Sequence, residues 1–332
     1  MPILLTGGGT AGHVLPNLAI ADAISRDTKV FYIGSRDGLE GDLVKRAGIP
    51  FEYISVGKFR RYFDLRNFFD LFRIPFGIAQ AWWKLGRIKP QLVFSKGGFV
   101  SFPVVVAAKL RGIPVLTHES DAILGLATRL IAPFADKVLL GFDINCPRGH
   151  FVGNPIRKEL LAGNARTALK TCGFDGKRKV LLVMGGSTGS QQLNEIIAAE
   201  KSELIKHFDV VHVTGEGKGK VTRSKHYYSV PYIHEMADFL ALASLALSRS
   251  GANALAELQT LQIPTLLYPL GAGSRGDQLA NAQSAVAHSK LFKIADESKP
   301  ALAQLLKLPQ HPSKQLPNHA LEKIVKIIKT YL

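Results

Sequence analysis

Cysteine is nearly absent from this 332-residue sequence. The two present, Cys146 and Cys172, stand in no metal-ligand spacing, which argues against a disulfide framework and for a reducing, cytoplasmic setting. No apolar run reaches the ~18 residues of a membrane-spanning helix. The opening Met1–Leu5 has neither the basic region nor the long apolar stretch of a signal peptide. No Asp-x-Asp motif for a bound metal stands at a strand end. Acidic residues are also few, 26 against 42 Lys and Arg, leaving a formal charge of +16. Nucleic acid, an anionic membrane surface and a polyanionic small ligand all suit such a charge, so its distribution has to decide.

What is present is alternation. Short aliphatic runs at Ile3–Thr6, Val30–Ile33, Leu92–Phe94, Val115–Thr117, Val138–Leu140, Val180–Met184, Val210–Val213, Leu245–Leu247 and Thr265–Tyr268 read as buried strands. Stretches of helical spacing lie between them, such as Leu18–Ser25 and Leu193–Leu204. This order predicts an α/β chain with parallel sheets built from βαβ units. The length suits two domains of about 150 residues each. One event occurs twice: Ile3–Thr6 runs into Gly7-Gly8-Gly9-Thr10-Ala11-Gly12-His13, and Val180–Met184 runs into Gly185-Gly186-Ser187-Thr188-Gly189-Ser190, each followed by a helix. The Pro- and Gly-bearing stretch Phe142–Lys158 reads as the linker, with a boundary near residue 153.

A glycine-rich turn opening a helix lets backbone N–H groups and the helix dipole approach a phosphate. Gly7-x-Gly9-x-x-Gly12 also matches the dinucleotide fingerprint, and Arg36 after Val30–Ile33 stands where a 2′-phosphate would need it, so an NADP-dependent oxidoreductase remains an alternative on that window. His13 beside the last glycine, and a second turn without the fingerprint, weigh against it. In the C-terminal half, Ser250-Gly251 suits a helix N-cap, and Glu257 further along that helix is a candidate acceptor for a ribose diol. Gln278 and Asn281 share a helix face, and their amides are suited to reading sugar hydroxyls.

Seven segments in order then carry a resemblance: Gly8–His13, Gly97-Gly98-Phe99-Val100-Ser101, His118-Glu119-Ser120-Asp121, Val152–Arg157, Gly185-Gly186-Ser187, Arg249-Ser250-Gly251-Ala252 and Gln278–Ala282. Together they resemble the GT-B nucleotide-sugar transferases, and within them the peptidoglycan N-acetylglucosaminyltransferases of glycosyltransferase family 28. The resemblance implies two Rossmann-like lobes facing across a cleft. Residues 1–153 would form an acceptor and membrane-facing lobe, residues 154–317 a donor lobe, with a last helix at about 318–332 packing back on the first. It implies transfer of N-acetylglucosamine from UDP-GlcNAc to the muramyl C4 hydroxyl of lipid I with inversion, with no cofactor and no metal. Arg157 and Ser187 would meet the diphosphate, and the backbone of Ile233 the uracil. Ala252, Asn253, Ala254, Leu255, Ala256 and Glu257 would hold phosphate and ribose, while Gln278 and Asn281 read the sugar. Thr10, Ala11, Gly12 and Asp121 would complete the donor site. Ala11, Asp121 and Phe99 depart from the family's usual glycine, asparagine and tyrosine, which bears on the acceptor side and leaves a GT-B nucleotide-sugar transferase with a different acceptor as an alternative.

The implied displacement needs a base for the acceptor hydroxyl and positive potential at the diphosphate. His13 is the favoured base because its ordinary pKa lies near neutrality; Glu119 is the other candidate. The most unusual segment is Lys58–Lys89, with eight Lys or Arg, two Asp, nine aromatics and both tryptophans of the chain. Basic residues interleaved with Phe and Trp suit a membrane interface. Phe68, Phe69, Phe72, Arg73, Trp82, Trp83 and Lys84 are therefore expected to form a patch for the lipid acceptor on an anionic inner membrane surface. The protein would then be peripheral on the cytoplasmic face, with no nucleic-acid partner.

Overall fold

The structure, a computed structural model, describes residues 2–25, 28–36, 38–56, 66–186, 188–271, 276–312 and 315–332, with backbone alone for 11 and 66–72. It divides into two units, residues 1–155 with 319–332 and residues 156–318.

The first unit runs β1 (Pro2–Thr6), α1 (Ala11–Ile24), β2 (Lys29–Ser35), α2 (Glu40–Arg46), β3 (Phe51–Ile54), α3 (Arg66–Ile88), β4 (Leu92–Ser95), α4 (Ser101–Leu110), β5 (Val115–Glu119), α5 (Leu126–Ile131), β6 (Lys137–Leu140) and β7 (Gly149–Phe151). Its strands form one parallel sheet in the order β3-β2-β1-β4-β5-β6-β7. Successive side chains of a strand face opposite ways, and in β1 both faces find a core. Ile3 and Leu5 pack with Val14 and Ile20 of α1 and with Ile324 and Ile328 of the C-terminal helix Ala320–Lys329. Leu4 packs on the other side with Ala81 and Leu85 of α3 and Val104 and Ala108 of α4.

The second unit runs α6 (Ala165–Cys172), β8 (Val180–Met184), α7 (Gln191–His207), β9 (Asp209–Val213), β10 (Thr222–Ser224), β11 (Tyr227–Val230), α8 (Met236–Leu242), β12 (Leu245–Ser248), α9 (Ala252–Thr260), β13 (Thr265–Leu267), α10 (Asp277–His288), β14 (Phe292–Ile294) and α11 (Ala301–Leu305). The sheet order is β10-β11-β9-β8-β12-β13-β14, parallel except for the β10–β11 pair. Leu181 and Val183 of β8 meet Leu193, Ile197 and Leu204 of α7 in its core.

Each sheet is thus doubly wound, and each reverses its strand order once: between β1 and β4, and between β8 and β12. At such a reversal the loops leaving the two strands part to opposite faces, opening a crevice at the strands' carboxyl ends where ligands of open α/β sheets bind. All the expected strands form. The strands not foreseen are β3, β7, β10, β11 and β14, which lie at the sheet margins. Among the described residues no helix is long and apolar enough to cross a membrane.

Candidate active site

In the first unit the crevice is walled by the loops after β1, β4 and β5. The first two pack on each other with no room for side chains. Gly98 has φ +81°, and a Cβ there would lie 2.6 Å from the Gly8 carbonyl. Beneath the first turn lies Glu40, the first residue of α2 and fully buried. Its Oε1 accepts from Ser35 N at 2.8 Å and from Ser35 Oγ at 2.5 Å, and its Oε2 accepts a long bond from Gly9 N at 3.4 Å. A Cβ on Gly8 would fall 2.5 Å from that Oε1. The glycine spacing of this turn therefore serves a buried carboxylate. This weighs against the dinucleotide alternative, because Glu40 would repel a pyrophosphate and already occupies Gly9 N–H. Arg36 lies over the Tyr53 ring, 5.4 Å from its centroid.

Thr10 is the N-cap residue of α1, and its Oγ1 shares a 2.9 Å hydrogen bond with His13 Nδ1. Ala11 and Gly12 belong to the first turn of that helix. After β5, Glu119 is buried with both oxygens committed: Oε1 accepts from Asp121 N at 3.1 Å, and Oε2 from Gly125 N at 2.9 Å. It organises the loop that carries Asp121. His118 Nε2 donates to the Gly153 carbonyl at 3.0 Å, which leaves Nδ1 to accept from Lys96 Nζ at 2.7 Å. Burial, and then the Lys96 charge, hold the His118 pKa well below its ordinary value.

In the second unit the crevice lies between the turn after β8 and the turn after β12. The first packs tightly on the loop after β9: Gly189 has φ +68°, and a Cβ there would lie 2.3 Å from the Thr214 carbonyl. Ser190 Oγ caps α7 by accepting from Leu193 N at 3.3 Å. Ser187 lies outside the described residues. The second turn, Ser250-Gly251, is built differently. Gly251 is the N-cap of α9 and has no side chain with which to cap the N–H groups that open the helix. Gly251 has an ordinary extended backbone, and among the described residues a Cβ there would meet nothing within 4 Å. Among the described residues of this unit nothing requires a glycine at that position.

The side chains expected to read ribose and sugar converge on this turn. Ser250 Oγ donates to the Gln278 carbonyl at 2.7 Å, and Asn281 Nδ2 donates to the Ser250 carbonyl at 3.2 Å. Gln278 Oε1 accepts from Leu270 N at 3.0 Å; among the described residues its Nε2 has no acceptor. Asn281 is fully buried and supports the turn, whereas Gln278 is half-buried. Leu255 turns its side chain into the interior; Ala256 and Glu257 are half-buried. Burial pushes the Glu257 pKa up to about 7 against the opposing pull of the Arg157 charge. Ile233 is buried, which fixes its backbone; among the described residues neither its N–H nor its carbonyl has a hydrogen-bond partner.

On the first unit's surface, α3 buries Gly77, Ala81 and Leu85 and presents Trp82 and Trp83, which are 47% and 56% exposed. Arg111 stacks on Trp82 with its guanidinium carbon 3.8 Å from the ring centroid, and Arg87 on Trp83 at 4.8 Å. Arg73 is exposed on the same helix. Lys84 instead pairs with Glu52 of β3 and lies over Tyr53. The side chains of Phe68, Phe69 and Phe72 lie outside the described residues. Sequence reasoning missed Glu40 and Lys96; the one sequence trace of Glu40 is the glycine pair Gly34 and Gly38 that makes room for it.

Residues 3–140 match the model of the glycosyltransferase family 28 N-terminal domain, and residues 180–331 that of its C-terminal domain. A protein of Geobacillus kaustophilus named UDP-N-acetylglucosamine–N-acetylmuramyl-(pentapeptide) pyrophosphoryl-undecaprenol N-acetylglucosamine transferase is 45% identical over 293 residues, covering 85% of this chain and 82% of its own. One of the same name from Lachnospira eligens is 45% identical over 305 residues, covering 89% and 86%. Among solved structures, Acinetobacter baumannii MurG superposes with TM-score 0.76 at 24% identity, covering 99% of both chains. The UDP-GlcNAc 2-epimerase of Neisseria meningitidis, bound to UDP-GlcNAc, shares the fold at TM-score 0.66 and 15% identity, covering 99% of this chain and 100% of that one. The two-sheet architecture, the matched domains and these relatives together establish that the chain is a glycosyltransferase and belongs to glycosyltransferase family 28.

Proposed function

We propose that this enzyme transfers N-acetylglucosamine from UDP-GlcNAc to the muramyl C4 hydroxyl of lipid I, with inversion, on the cytoplasmic face of the membrane. The observation that carries the donor half is the turn at Ser250-Gly251: a helix whose N-cap is a glycine, with no described atom within 4 Å of where a Cβ on it would stand, in the same helix as the half-buried carboxylate of Glu257. Phosphate suits the first and a ribose diol the second, and together they describe a nucleotide. The names of the relatives add the sugar and the lipid-linked acceptor.

In this reading the anomeric carbon is attacked once by the acceptor hydroxyl as UDP leaves. Arg157 and the N–H groups of Ala252, Asn253 and Ala254 offset the charge that develops on the diphosphate. The backbone of Ile233 meets the uracil, and the Nε2 donors of Gln278 meet the sugar. Asn281 acts beneath them by fixing Ser250. His13 takes the acceptor proton: with Nδ1–H donating to Thr10, the lone pair stands on Nε2. Glu119 is the weaker candidate because both its oxygens are held by backbone N–H groups. The Trp82–Trp83 face of α3, with Arg73 and Arg87, suits an anionic membrane surface where a polyprenyl acceptor resides.

Thermal shifts with UDP-GlcNAc, UDP-glucose, a TDP-sugar and NADPH test the donor, since a ligand stabilises what it binds. UDP-GlcNAc should shift the transition most; a shift with NADPH alone would sink the reading. Transfer of labelled GlcNAc to a lipid I analogue tests the acceptor. Co-sedimentation with anionic vesicles should weaken when Trp82 and Trp83 are replaced by Ala, and unchanged binding removes the patch.

A further inference from the structure

One polar chain runs through the second unit and ends against a wall of its crevice. His212 lies buried in β9, between Tyr227 of β11 and Asn194 in the first turn of α7. Its Nδ1 is 2.9 Å from the Tyr227 hydroxyl, and its Nε2 is 2.9 Å from Asn194 Oδ1. Asn194 Nδ2 donates to the Thr214 carbonyl at 3.1 Å, and that bond fixes every proton behind it. A carbonyl only accepts, so the amide nitrogen faces Thr214 and Oδ1 faces the ring. Nε2 must then carry the imidazole proton, and Nδ1 accepts from the Tyr227 hydroxyl. Burial, followed by the Lys201 charge, lowers the His212 pKa to about 4, so the neutral ring that this order needs is the form present at neutral pH.

Thr214, the residue after β9, is where this chain meets the crevice. A Cβ on Gly189 would lie 2.3 Å from the Thr214 carbonyl, and one on Gly215 would lie 2.7 Å from the Thr188 carbonyl. The turn after β8 and the loop after β9 therefore meet backbone to backbone, with no side chain between them to take up a shift. Lys218 of the same loop donates from Nζ to the Thr188 carbonyl at 2.9 Å. Asn194 closes a ring. The turn runs through its N-cap Ser190 into α7, α7 carries Asn194, Asn194 holds Thr214, and Thr214 backs onto the turn. An apolar filling of the same shape could be as stable as this chain. What a satisfied polar chain adds is a single fixed arrangement.

We infer that Asn194 is a positioning residue for the sugar-nucleotide donor: oriented by His212, it holds the loop after β9 against the turn after β8 and so fixes one wall of the crevice. The inference rests on the proposed function for the place of the donor. Asn194 acts through Thr214 and Gly189, and its loss would let that wall shift while the rest of the crevice stays as it is.

Asn194→Leu, Asn194→Asp and Leu204→Ala are compared with the parent chain, with KM measured separately for UDP-GlcNAc and a lipid I analogue at a temperature where all are folded. Asn194→Leu removes the whole link. Asn194→Asp keeps an acceptor for His212 but, ionised, has no proton for Thr214. Both should raise the donor KM at least about fivefold with the acceptor KM within about twofold. Leu204→Ala empties core space at the far end of α7, so it should lower the Tm while leaving both KM values within about twofold. An unchanged donor KM in the Asn194 variants, an acceptor KM rising in step, or an equal donor loss in Leu204→Ala overturns the inference. Should Asn194→Leu not fold, Asn194→Asp carries the comparison. If the parent chain binds no UDP-GlcNAc, the proposed function fails. The brace is then judged on backbone amide exchange, where the Asn194 variants should speed exchange at 188–190 and 214–216 relative to Leu204→Ala, and equal rates overturn it.

Discussion

The two switch-point crevices are built on one plan and finished with different chemistry. In the first unit, charged side chains support the loops from beneath: Glu40 under the glycine turn, Lys96 and Glu119 under the loop after β5. In the second, hydroxyls and amides do so: Ser190, Ser250, Gln278 and Asn281. A carboxylate that already takes a glycine-turn N–H, as Glu40 takes that of Gly9, leaves less for a phosphate, whereas the N-cap residue of α9 is a glycine and has no side chain to compete for the N–H groups that follow it. Glycine spacing alone therefore does not locate the phosphate. What already occupies the N–H groups does.

The sharpest way to break this comparison is to separate proton transfer from donor binding. His13→Ala should lower kcat by about 10²- to 10⁴-fold, the usual worth of a positioned general base, with the UDP-GlcNAc dissociation constant nearly unchanged. Single-turnover kinetics beside calorimetry measures both, and a large loss of donor affinity would assign His13 to the donor instead. Next in size is Gly8→Ala. Its methyl would overlap Glu40 Oε1, so the first unit should lose about 1–3 kcal/mol of stability, as overpacked sites do. Both tryptophans of the chain lie in α3, so intrinsic tryptophan fluorescence follows this unit selectively. An unchanged fluorescence transition would mean that Glu40 does not fill the space under the turn.

Glu257 sharpens the comparison on the other side. Its pKa of about 7 lies above the ordinary 4.5 because burial disfavours the charged form. A raised carboxyl pKa favours the folded state at low pH. The contribution is complete below about 4.5 and is lost as pH rises through about 7, in total up to about 3 kcal/mol for the second unit. A ribose diol donates to the ionised form, so donor binding should run the opposite way, weakening by up to about tenfold per pH unit below 7 with release of a proton. Calorimetry in buffers of different ionisation enthalpy reads that proton. Glu257→Gln should abolish both trends, and a donor affinity flat between pH 6 and 8 would take Glu257 off the ribose.

The central strands were legible because parallel strands covered on both faces read as unbroken aliphatic runs, as Val180–Met184 does. The marginal strands were not, because short edges such as Gly149–Phe151 and Thr222–Ser224 are largely exposed and carry no aliphatic run. Glycine turns and helix starts were legible from local chemistry, whereas the groups that finish them were not. Glu40 meets Gly9 across 31 residues, and Lys96 meets His118 across 22. Gln278 and Asn281 were correctly placed on one face of α10, but spacing does not say which face is inward. Asn281 is buried there while Leu279 is exposed. A polar residue goes inside when a backbone carbonyl such as that of Ser250 awaits it.

The smallest expected effect discriminates most finely, and it concerns Gly251. Alanine fits its φ of −64° and ψ of 136° without strain. Replacing glycine at such a position stabilises by about 0.4–1 kcal/mol through the unfolded chain. Alanine is a poorer N-cap than glycine by a comparable amount, so the two terms nearly cancel. Gly251→Ala should therefore leave the thermal transition of the second unit within a degree or two. In the proposed donor mode a methyl group there would nonetheless stand in the way of a diphosphate approaching the N–H groups of α9, and close approach is what a glycine permits. Donor affinity should fall by about three- to tenfold while stability stays level. If both stay level, the space above Gly251 is not where the phosphate sits, and the asymmetry between the two crevices loses its functional meaning. If stability falls as well, the glycine serves the fold after all.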